Sequence, residues 1–490
     1  MPEPSARLIW APRAWVGATQ SATAASTAAT STLTGPAGSA GPENNWQADV
    51  LLQIGPDGRW AAITPGVTQA PAGAQVLCGP LLPGLVNAHS HAFQRAFAGL
   101  AERRETATDD FWSWRDRMYR VALRITPDQL QAIAAMLYLE LLRGGYTQVC
   151  EFHYLQHDPD GRPYADPLAL GWALADAATA AGMGLTLMPA LYERAGFSQP
   201  TLRDDQRRFA STADSVWAAA QRIATSGRPL LQAGLALHSL RAAAPASVQR
   251  LRQLAAGFAG PIHLHVAEQT AEVDDCLAAT GQRPIAWLAQ QGLLDARWQL
   301  VHATHTVPAE IDAVALSGAG VVICPSTEAN LGDGLCDLPG WLASGVPLAI
   351  GSDSHVGRCW REELRWLDYG QRLALRRRNV AAAPASGQPA TAQRLFSRAL
   401  QAGAAACGEA SWGLVVGARA DALLADPGDP TTLGMPAERW LDAQVFSSPA
   451  RPWQAVMVAG RWVIQDHHHP QQGVIAERFE AAMAALWQAS

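Results

Sequence analysis

The sequence predicts an α/β protein: a (β/α)8 barrel of the TIM type joined to a small composite β-sandwich domain built from both chain ends. Three observations carry this prediction. Eight short apolar runs alternate with helical stretches through the middle of the chain, polar residues stand where most of these runs end, and strand-like pieces occur near both termini. A doubly wound sheet would show the same alternation, but a count of eight strands favours the barrel.

The predicted elements follow in chain order. The small domain has strands at 7–10, 49–54, 60–64, 420–424 and 455–464, and a Ser/Thr/Ala/Gly-rich segment, 18–45, is expected to be a flexible surface insert. The barrel strands are predicted at 85–89, 148–152, 185–191, 234–238, 262–266, 299–302, 321–325 and 348–353. Helices are predicted at 127–143, 167–181, 216–226, 271–280 and 362–378. The expected domains are therefore 1–80 and 411–490 for the small domain with a terminal helix, and 81–410 for the barrel.

Composition excludes several function classes. The chain of 490 residues is 49% hydrophobic and 16% charged, as expected of a protein with a large core. All 37 basic residues are arginine, so no lysine is available for a phosphate-binding loop, for a Schiff base or, once carbamylated, for bridging two metal ions. A formal charge of −6 argues against a nucleic-acid partner.

Cysteine usage and hydropathy bear on location. The seven cysteines form no C-x-x-C pair and are interpreted as reduced thiols of a cytoplasmic protein. No apolar run of 18 or more residues predicts a membrane span, and no secretory leader is recognised at the N-terminus.

Residues with metal-binding or acid–base chemistry stand at five of the predicted strand ends. His89 and His91 are two residues apart, so on an extended strand they point to one face and can share a metal ion. The other strand ends carry His238, His265 with Glu268, His302, and Asp353. Barrel enzymes build their sites at the C-terminal ends of the strands, so this pattern indicates a catalytic metal site.

Several segments carry a family resemblance. Residues 83–91 (PGLVNAHSH) resemble the opening motif of the amidohydrolase superfamily, and 265–268 (HVAE), the His302 strand and Ser352-Asp353 resemble its mononuclear deaminase branch. More narrowly, 91–96 (HAFQRA), 111–115 (FWSWR), 151–154 (EFHY) and 324–334 (CPSTEANLGDG) resemble the formimidoylglutamate deiminase family. This resemblance implies zinc-dependent hydrolysis of N-formimidoyl-L-glutamate to N-formyl-L-glutamate and ammonia in histidine degradation.

The resemblance also implies residue roles. One Zn²⁺ per chain is expected on His89, His91, His265 and Asp353. Asp353 and His302 are expected to accept a proton and to stabilise developing charge, while Glu268 carries a proton to the departing nitrogen. Arginine pairs with carboxylate in a bidentate fork, so two arginines are expected to bind a dicarboxylate. The expected substrate-binding residues are Gln94, Arg115, Tyr154, His238 and Arg241.

The expected partner is a small dicarboxylate molecule, with no nucleic acid and no membrane, and the chain is expected to form a homodimer. Two alternatives remain open. The first is a mononuclear zinc deaminase or chlorohydrolase acting on a purine, pterin or triazine ring, whose pocket would need stacking aromatics and amides rather than two arginines. The second is a catalytically silent barrel that serves as a scaffold, which metal binding would distinguish.

Overall fold

The computed structural model describes residues 7–17, 45–104, 109–447 and 451–488. The expected flexible insert at 18–45 therefore lies outside the described residues, apart from residue 45. The chain begins with five strands that belong to a small sheet: β1 (Arg7–Trp15), β2 (Trp46–Ile54), β3 (Trp60–Thr64), β4 (Gln75–Val76) and β5 (Leu81–Leu82).

The middle of the chain forms a barrel of parallel strands, which confirms the predicted fold class. Neighbouring strands pair in the order β6-β7-β8-β10-β11-β12-β13-β14, and β9 pairs beside β8. The ring is completed by a single parallel bridge between Ser90 and Asp353, where β14 meets β6. The strands are β6 (Leu85–Ser90), β7 (Tyr146–His153), β8 (Gly184–Leu191), β9 (Leu231–Ala233), β10 (Leu235–Ser239), β11 (Ile262–Val266), β12 (Trp298–His302), β13 (Gly320–Ile323) and β14 (Leu348–Ile350).

Helices cover the outside of the barrel, and their ends follow from local sequence. Thr126 caps α2 through a hydrogen bond from the Gln129 backbone N–H, and proline occupies the first turn of several others. The helices are α1 (Phe111–Ala122), α2 (Pro127–Arg143), α3 (Ala169–Ala181), α4 (Ala213–Ala224), α5 (Pro245–Leu254), α6 (Thr270–Thr280), α7 (Pro284–Gln290), α8 (Pro308–Ser317), α9 (Pro325–Leu331), α10 (Leu338–Ser344), α11 (Trp360–Leu375), α12 (Thr391–Cys407), α13 (Trp440–Phe446) and α14 (Gln472–Gln488).

The two chain ends share one sheet. Three C-terminal strands, β15 (Ala422–Leu424), β16 (Ala455–Val458) and β17 (Arg461–Ile464), continue the N-terminal strands in the order β17-β16-β15-β5-β1-β2-β3. Within the described residues, hydrogen bonds join all these strands into one continuous sheet. Apolar side chains from the N-terminal and C-terminal strands pack together in a core that is separate from the barrel core. The composite small domain thus has one sheet and a hydrophobic core distinct from that of the barrel.

Two sequence-based details differ from the structure. The single strand expected at 455–464 is a hairpin, because Ala459 (φ 47°) and Gly460 (φ 75°) adopt the left-handed conformation of a tight two-residue turn. β5 also extends the small sheet two residues past the expected boundary at 80, since Leu81 pairs with Ala14 of β1. Among the described helices, none is long and apolar enough to span a bilayer.

Candidate metal and substrate site

Four side chains from the ends of three strands, β6, β11 and β14, meet at the C-terminal mouth of the barrel. The His89 Nε2 atom lies 2.9 Å from the Nε2 atom of His265, which in turn lies 3.3 Å from the Nε2 atom of His91. The Asp353 Oδ1 atom lies 3.4 Å from the Nε2 atoms of both His89 and His91. All four side chains are buried, so the structure brings the four expected metal ligands together.

Hydrogen bonds to the other ring nitrogens fix which atoms face the centre. The Nδ1–H of His91 donates to the Phe152 carbonyl at 2.9 Å, and the Nδ1–H of His265 donates to the His238 carbonyl at 2.8 Å. Burial lowers the pKa values of both rings, which favours the neutral form. A neutral imidazole that donates through Nδ1 presents a lone pair at Nε2, so two lone pairs face each other at 3.3 Å with no proton between them. A cation between these atoms resolves that conflict.

The backbone at two strand ends is strained. Asp353 (φ 47°) and His302 (φ 69°) adopt the left-handed conformation, which costs a non-glycine residue about 1–2 kcal/mol. Nearby, a side chain at Gly351 would place its Cβ atom only 2.7 Å from the Cβ atom of His89. Glycine therefore lets β14 approach β6 closely enough for Asp353 to reach the histidines.

His302 lies between two carboxylates. Its Nε2 atom is 3.7 Å from the Glu268 Oε1 atom, and its Nδ1 atom is 3.3 Å from the Glu328 Oε1 atom. Burial and the nearby Asp353 carboxylate raise the pKa of Glu268 and His302 lowers it, with a net rise to about 7. A carboxyl with a pKa near 7 can both accept and donate a proton at neutral pH.

A pocket opens beside this centre and is lined by two arginines that both lie near one indole ring. The guanidinium carbons of Arg115 and Arg241 lie 4.7 Å and 5.6 Å from the centroid of the Trp112 ring. The buried Nε atom of each arginine has no hydrogen-bond partner among the described residues. Two cations with free donors thus face the pocket, which suits an anionic ligand.

The remaining expected substrate residues line the same pocket. The Gln94 Nε2 atom donates to the Tyr154 hydroxyl at 3.2 Å, and the buried Gln94 Oε1 atom has no partner among the described residues. The His238 ring packs against those of Tyr154 and Tyr192, at centroid distances of 5.3 Å and 4.3 Å. The structure therefore gathers all five expected substrate-binding residues around one cavity. Lining residues that the sequence did not single out are Phe111, Trp114, Met118, Tyr119 and Leu331.

The sequence model of the amidohydrolase family matches residues 81–463, which is most of the chain. This chain belongs to the amidohydrolase family. Membership identifies it as a hydrolase, and the extent of the match covers every residue of the centre and the pocket described above.

Two deaminating enzymes illustrate which known proteins this amidohydrolase is similar to. It is 46% identical to formimidoylglutamate deiminase of Pseudomonas aeruginosa over 90% of this chain and 96% of that protein. It is 29% identical to 5-methylthioadenosine/S-adenosylhomocysteine deaminase of Desulfovibrio desulfuricans, over 79% of this chain and 80% of that protein. The sequence likeness to the first is the stronger and spans almost the whole length of both proteins.

Solved structures share the fold. An amidohydrolase from Brucella melitensis superposes with a TM-score of 0.87 at 36% identity, covering 98% of this chain and 99% of that one. An adenosine deaminase from Xanthomonas campestris with bound zinc gives a TM-score of 0.76 at 23% identity over the full length of both chains. At that identity the second likeness shows the fold alone.

In this amidohydrolase, three buried residues next to the centre were not predicted as functional residues. Glu328 contacts His302, Glu151 accepts a hydrogen bond from Ser90 at 2.6 Å, and His355 lies 3.3 Å from the Ser90 hydroxyl. Glu151 and Glu328 fall within the segments that resemble the deiminase family, but the sequence offers no spacing signal for such contacts.

Proposed function

We propose that this amidohydrolase is a zinc-dependent deiminase that hydrolyses N-formimidoyl-L-glutamate to N-formyl-L-glutamate and ammonia, a reaction of histidine degradation. The observation that carries the proposal is the pair of arginines with free buried donors next to a cluster of three histidines. The 46% identity to formimidoylglutamate deiminase of Pseudomonas aeruginosa supports the same substrate. The free thiols of all seven cysteines support a cytoplasmic place of action.

The donor set fits one zinc ion. His89, His91, His265 and Asp353 would hold it, since imidazole and carboxylate are ordinary zinc ligands and the facing Nε2 lone pairs need a cation. A bound zinc ion lowers the pKa of its water to about 7 and so supplies a nucleophile at neutral pH. The absence of lysine from the sequence supports a single metal, because no carbamylated lysine can bridge a second one.

Substrate binding is assigned to the pocket side chains. Arg115 and Arg241 bind the two carboxylates of the substrate, because both arginines line the pocket and the buried Nε–H of each has no partner among the described residues. Gln94 and Tyr154 hold the formimidoyl group through the free amide oxygen and the phenol hydroxyl. His238 lies beside the reacting carbon, where burial lowers the pKa of its ring and favours the neutral form.

Proton transfer is assigned to the residues around His302. Asp353 accepts the proton that the attacking water loses. His302 stabilises the charge that develops on the atoms bonded to the formimidoyl carbon during the attack. Glu268 delivers a proton to the departing nitrogen, which must leave as ammonia rather than as an anion. Its pKa of about 7 suits a group that gives and regains a proton in each turnover.

One observation favours a different substrate. The aromatic residues Phe111, Trp114 and Tyr119 line the pocket and offer surfaces on which a purine, pterin or triazine ring could stack. A neutral ring would offer no carboxylate to the buried Nε–H groups of the two arginines, which have no partner among the described residues, and a buried donor without an acceptor is costly. The aliphatic dicarboxylate is therefore the better fit.

The test is ammonia release by zinc-loaded protein from N-formimidoyl-L-glutamate, with guanine and adenosine assayed in parallel for ammonia and a chlorotriazine for chloride. We expect rapid release from the first compound alone, and a fall of at least 100-fold in kcat for Glu268→Gln, which keeps the size of the side chain but removes its titratable proton. Turnover of a ring compound in place of the formimidoyl substrate would contradict the assignment of the two arginines.

A further inference from the structure

A chain of hydrogen bonds between buried polar side chains crosses the seam at which β14 meets β6. Its members are 0–2% exposed, and none of them was placed above in metal binding, substrate binding or proton transfer. In spatial order they are Asn87, Ser352, His355, Ser90 and Glu151.

The four links of this seam chain are 2.6 to 3.3 Å long. The Asn87 Nδ2 atom lies 2.7 Å from the Ser352 Oγ atom, which lies 3.0 Å from the His355 Nδ1 atom. On the other side of the ring, the His355 Nε2 atom lies 3.3 Å from the Ser90 Oγ atom, which lies 2.6 Å from the Glu151 Oε2 atom. The second Glu151 oxygen accepts the backbone N–H of Ala92 at 2.6 Å, which closes the chain.

Donor counting gives the chain one direction. In its ionised form the Glu151 carboxylate only accepts, so the single Ser90 proton points to it, and Ser90 itself accepts from the His355 Nε2–H. The His355 Nδ1 atom then accepts the Ser352 proton, and the Ser352 oxygen accepts from the Asn87 amide. Each hydroxyl and the His355 ring N–H in the series has an acceptor, and a network satisfied in this way is rigid.

The chain is anchored in the two segments that carry three of the proposed metal ligands. Ser90 lies between His89 and His91 in the sequence, and Ser352 directly precedes Asp353. The backbones of these segments meet through only a few hydrogen bonds, from Asp353 N–H to the His89 carbonyl at 3.0 Å and from His91 N–H to the Asp353 carbonyl at 3.3 Å. Because the seam has one bridge instead of a ladder, its register depends on side chains.

We propose that Glu151, Ser90, His355 and Ser352 are positioning residues that set the metal affinity of the site by holding His89, His91 and Asp353 in register across the seam. This inference rests on the proposed metal site. The seam chain touches neither metal nor substrate, so its effect passes through the backbone of the ligand segments. Partners that orient metal ligands are commonly worth 10- to 100-fold in affinity.

The experiment compares Ser90→Ala and His355→Gln with a matched control, Thr186→Val. Thr186 is also a fully buried hydroxyl within a relay, since it accepts from Gln148 at 2.9 Å and donates to the Cys407 carbonyl at 2.9 Å, but it lies near the opposite end of the barrel strands. For each protein, the dissociation constant for zinc is measured by chelator competition. The absorption spectrum with saturating Co²⁺ and the Tm of the metal-free protein are recorded as well.

We expect the zinc dissociation constant to rise about 10- to 100-fold in Ser90→Ala and His355→Gln, with a changed Co²⁺ spectrum, while Thr186→Val keeps both values of the wild type. If Ser90→Ala does not fold, Glu151→Gln replaces it, because donors face both Glu151 oxygens, from Ser90 and Tyr138 on one side and Ala92 on the other, and an amide has an acceptor on one side alone. If the seam variants bound zinc as tightly as the wild type, or if Thr186→Val lost as much zinc affinity as they do, the positioning role would be refuted while the proposed metal site would stand. A wild-type protein that binds no metal would refute the proposed metal site itself.

Discussion

At the scale of single residues, the site depends on groups that are held in one protonation state or left without a partner. Backbone carbonyls accept the Nδ1 protons of His91 and His265 and thereby turn the Nε2 lone pairs to the centre. The arginine Nε atoms of Arg115 and Arg241 are the converse case, since burial leaves them with donors but no acceptors among the described residues. Both features indicate a ligand: a cation for the histidines and an anion for the arginines.

Replacing Arg241 tests the anion-binding role. We expect Arg241→Met to raise the KM for N-formimidoyl-L-glutamate about 10- to 100-fold with a smaller change in kcat, because a charge-assisted hydrogen bond to a carboxylate contributes about 1.5–3 kcal/mol to binding. Steady-state kinetics of ammonia release measures both constants. Arg222→Met is the matched control, since Arg222 also lies over an indole, 6.0 Å from the Trp172 ring centroid, but is half exposed and paired with Asp166. An unchanged KM in Arg241→Met would rule out carboxylate binding by this arginine.

Sequence patterns could predict the residues at strand ends but not the residues behind them. His89, His265 and Asp353 were predictable because each interrupts or follows an apolar run, and the barrel places such positions at one rim. Glu328 and His355 were not, because their contacts join residues 26 and 265 positions apart in the chain and follow no local period.

At the scale of elements, the apolar runs of the sequence predict the barrel strands well and the short strands of the small sheet poorly. All eight expected strands overlap observed ones, and β11 has the expected bounds, since short buried parallel strands are near-continuous apolar segments. The two-residue strands β4 and β5 were not predicted, because two residues carry no recognisable alternation. The hairpin of β16 and β17 was missed because its turn, Ala459-Gly460, interrupts the apolar pattern only briefly.

Helix α11 carries a buried acid that makes stability depend on pH. Glu363 accepts hydrogen bonds from the backbone N–H and the hydroxyl of Ser326, at 2.9 Å and 2.6 Å, at the first turn of α9. Burial raises its pKa to about 8, above the value near 4.5 of the unfolded chain. The folded state therefore binds more protons than the unfolded state between these values, so this residue lowers the free energy of unfolding as pH rises from about 4.5 to about 8.

Glu363→Gln removes this contribution. We expect the free energy of unfolding, measured by chemical denaturation at pH 6 and pH 8.5, to fall less between the two pH values in the variant than in the wild type. Glu362→Gln is the control on the same helix, because Glu362 is exposed. The same decline in all three proteins would show that the Glu363 carboxyl is not the group responsible.

At the scale of the whole molecule, one buried arginine joins the small sheet to the base of the barrel. Arg419 forms an ion pair with Asp421 at 2.7 Å and donates to the Gln148 side chain and the Thr147 carbonyl on β7, at 2.7 Å and 3.0 Å. Its guanidinium carbon also lies 4.7 Å from the Trp412 ring centroid. The sequence could not predict these contacts, because Arg419 and its partners on β7 are more than 270 positions apart in the chain.

Arg419→Met should therefore affect stability rather than catalysis. Removing one partner of a buried ion pair leaves Asp421 uncompensated, and we expect a loss of about 3–5 kcal/mol in the free energy of unfolding. The kcat of the folded enzyme should stay at the wild-type value, because the joint lies at the end of the barrel strands opposite the site. Arg250→Met, on an exposed pair with Asp214, should leave the unfolding midpoint unchanged. A selective loss of kcat in Arg419→Met with normal stability would contradict this separation of roles.

The central claim is that one zinc ion in this barrel supports deimination of a formimidoyl dicarboxylate. It is tested most directly by titrating metal-free protein with zinc and measuring the rate of ammonia release from N-formimidoyl-L-glutamate after each addition. We expect the rate to rise linearly and to level off at one zinc ion per chain, because His89, His91, His265 and Asp353 converge on one centre and the sequence has no lysine to bridge a second ion there. A plateau at two zinc ions per chain, or no ammonia at any zinc level, would contradict the claim.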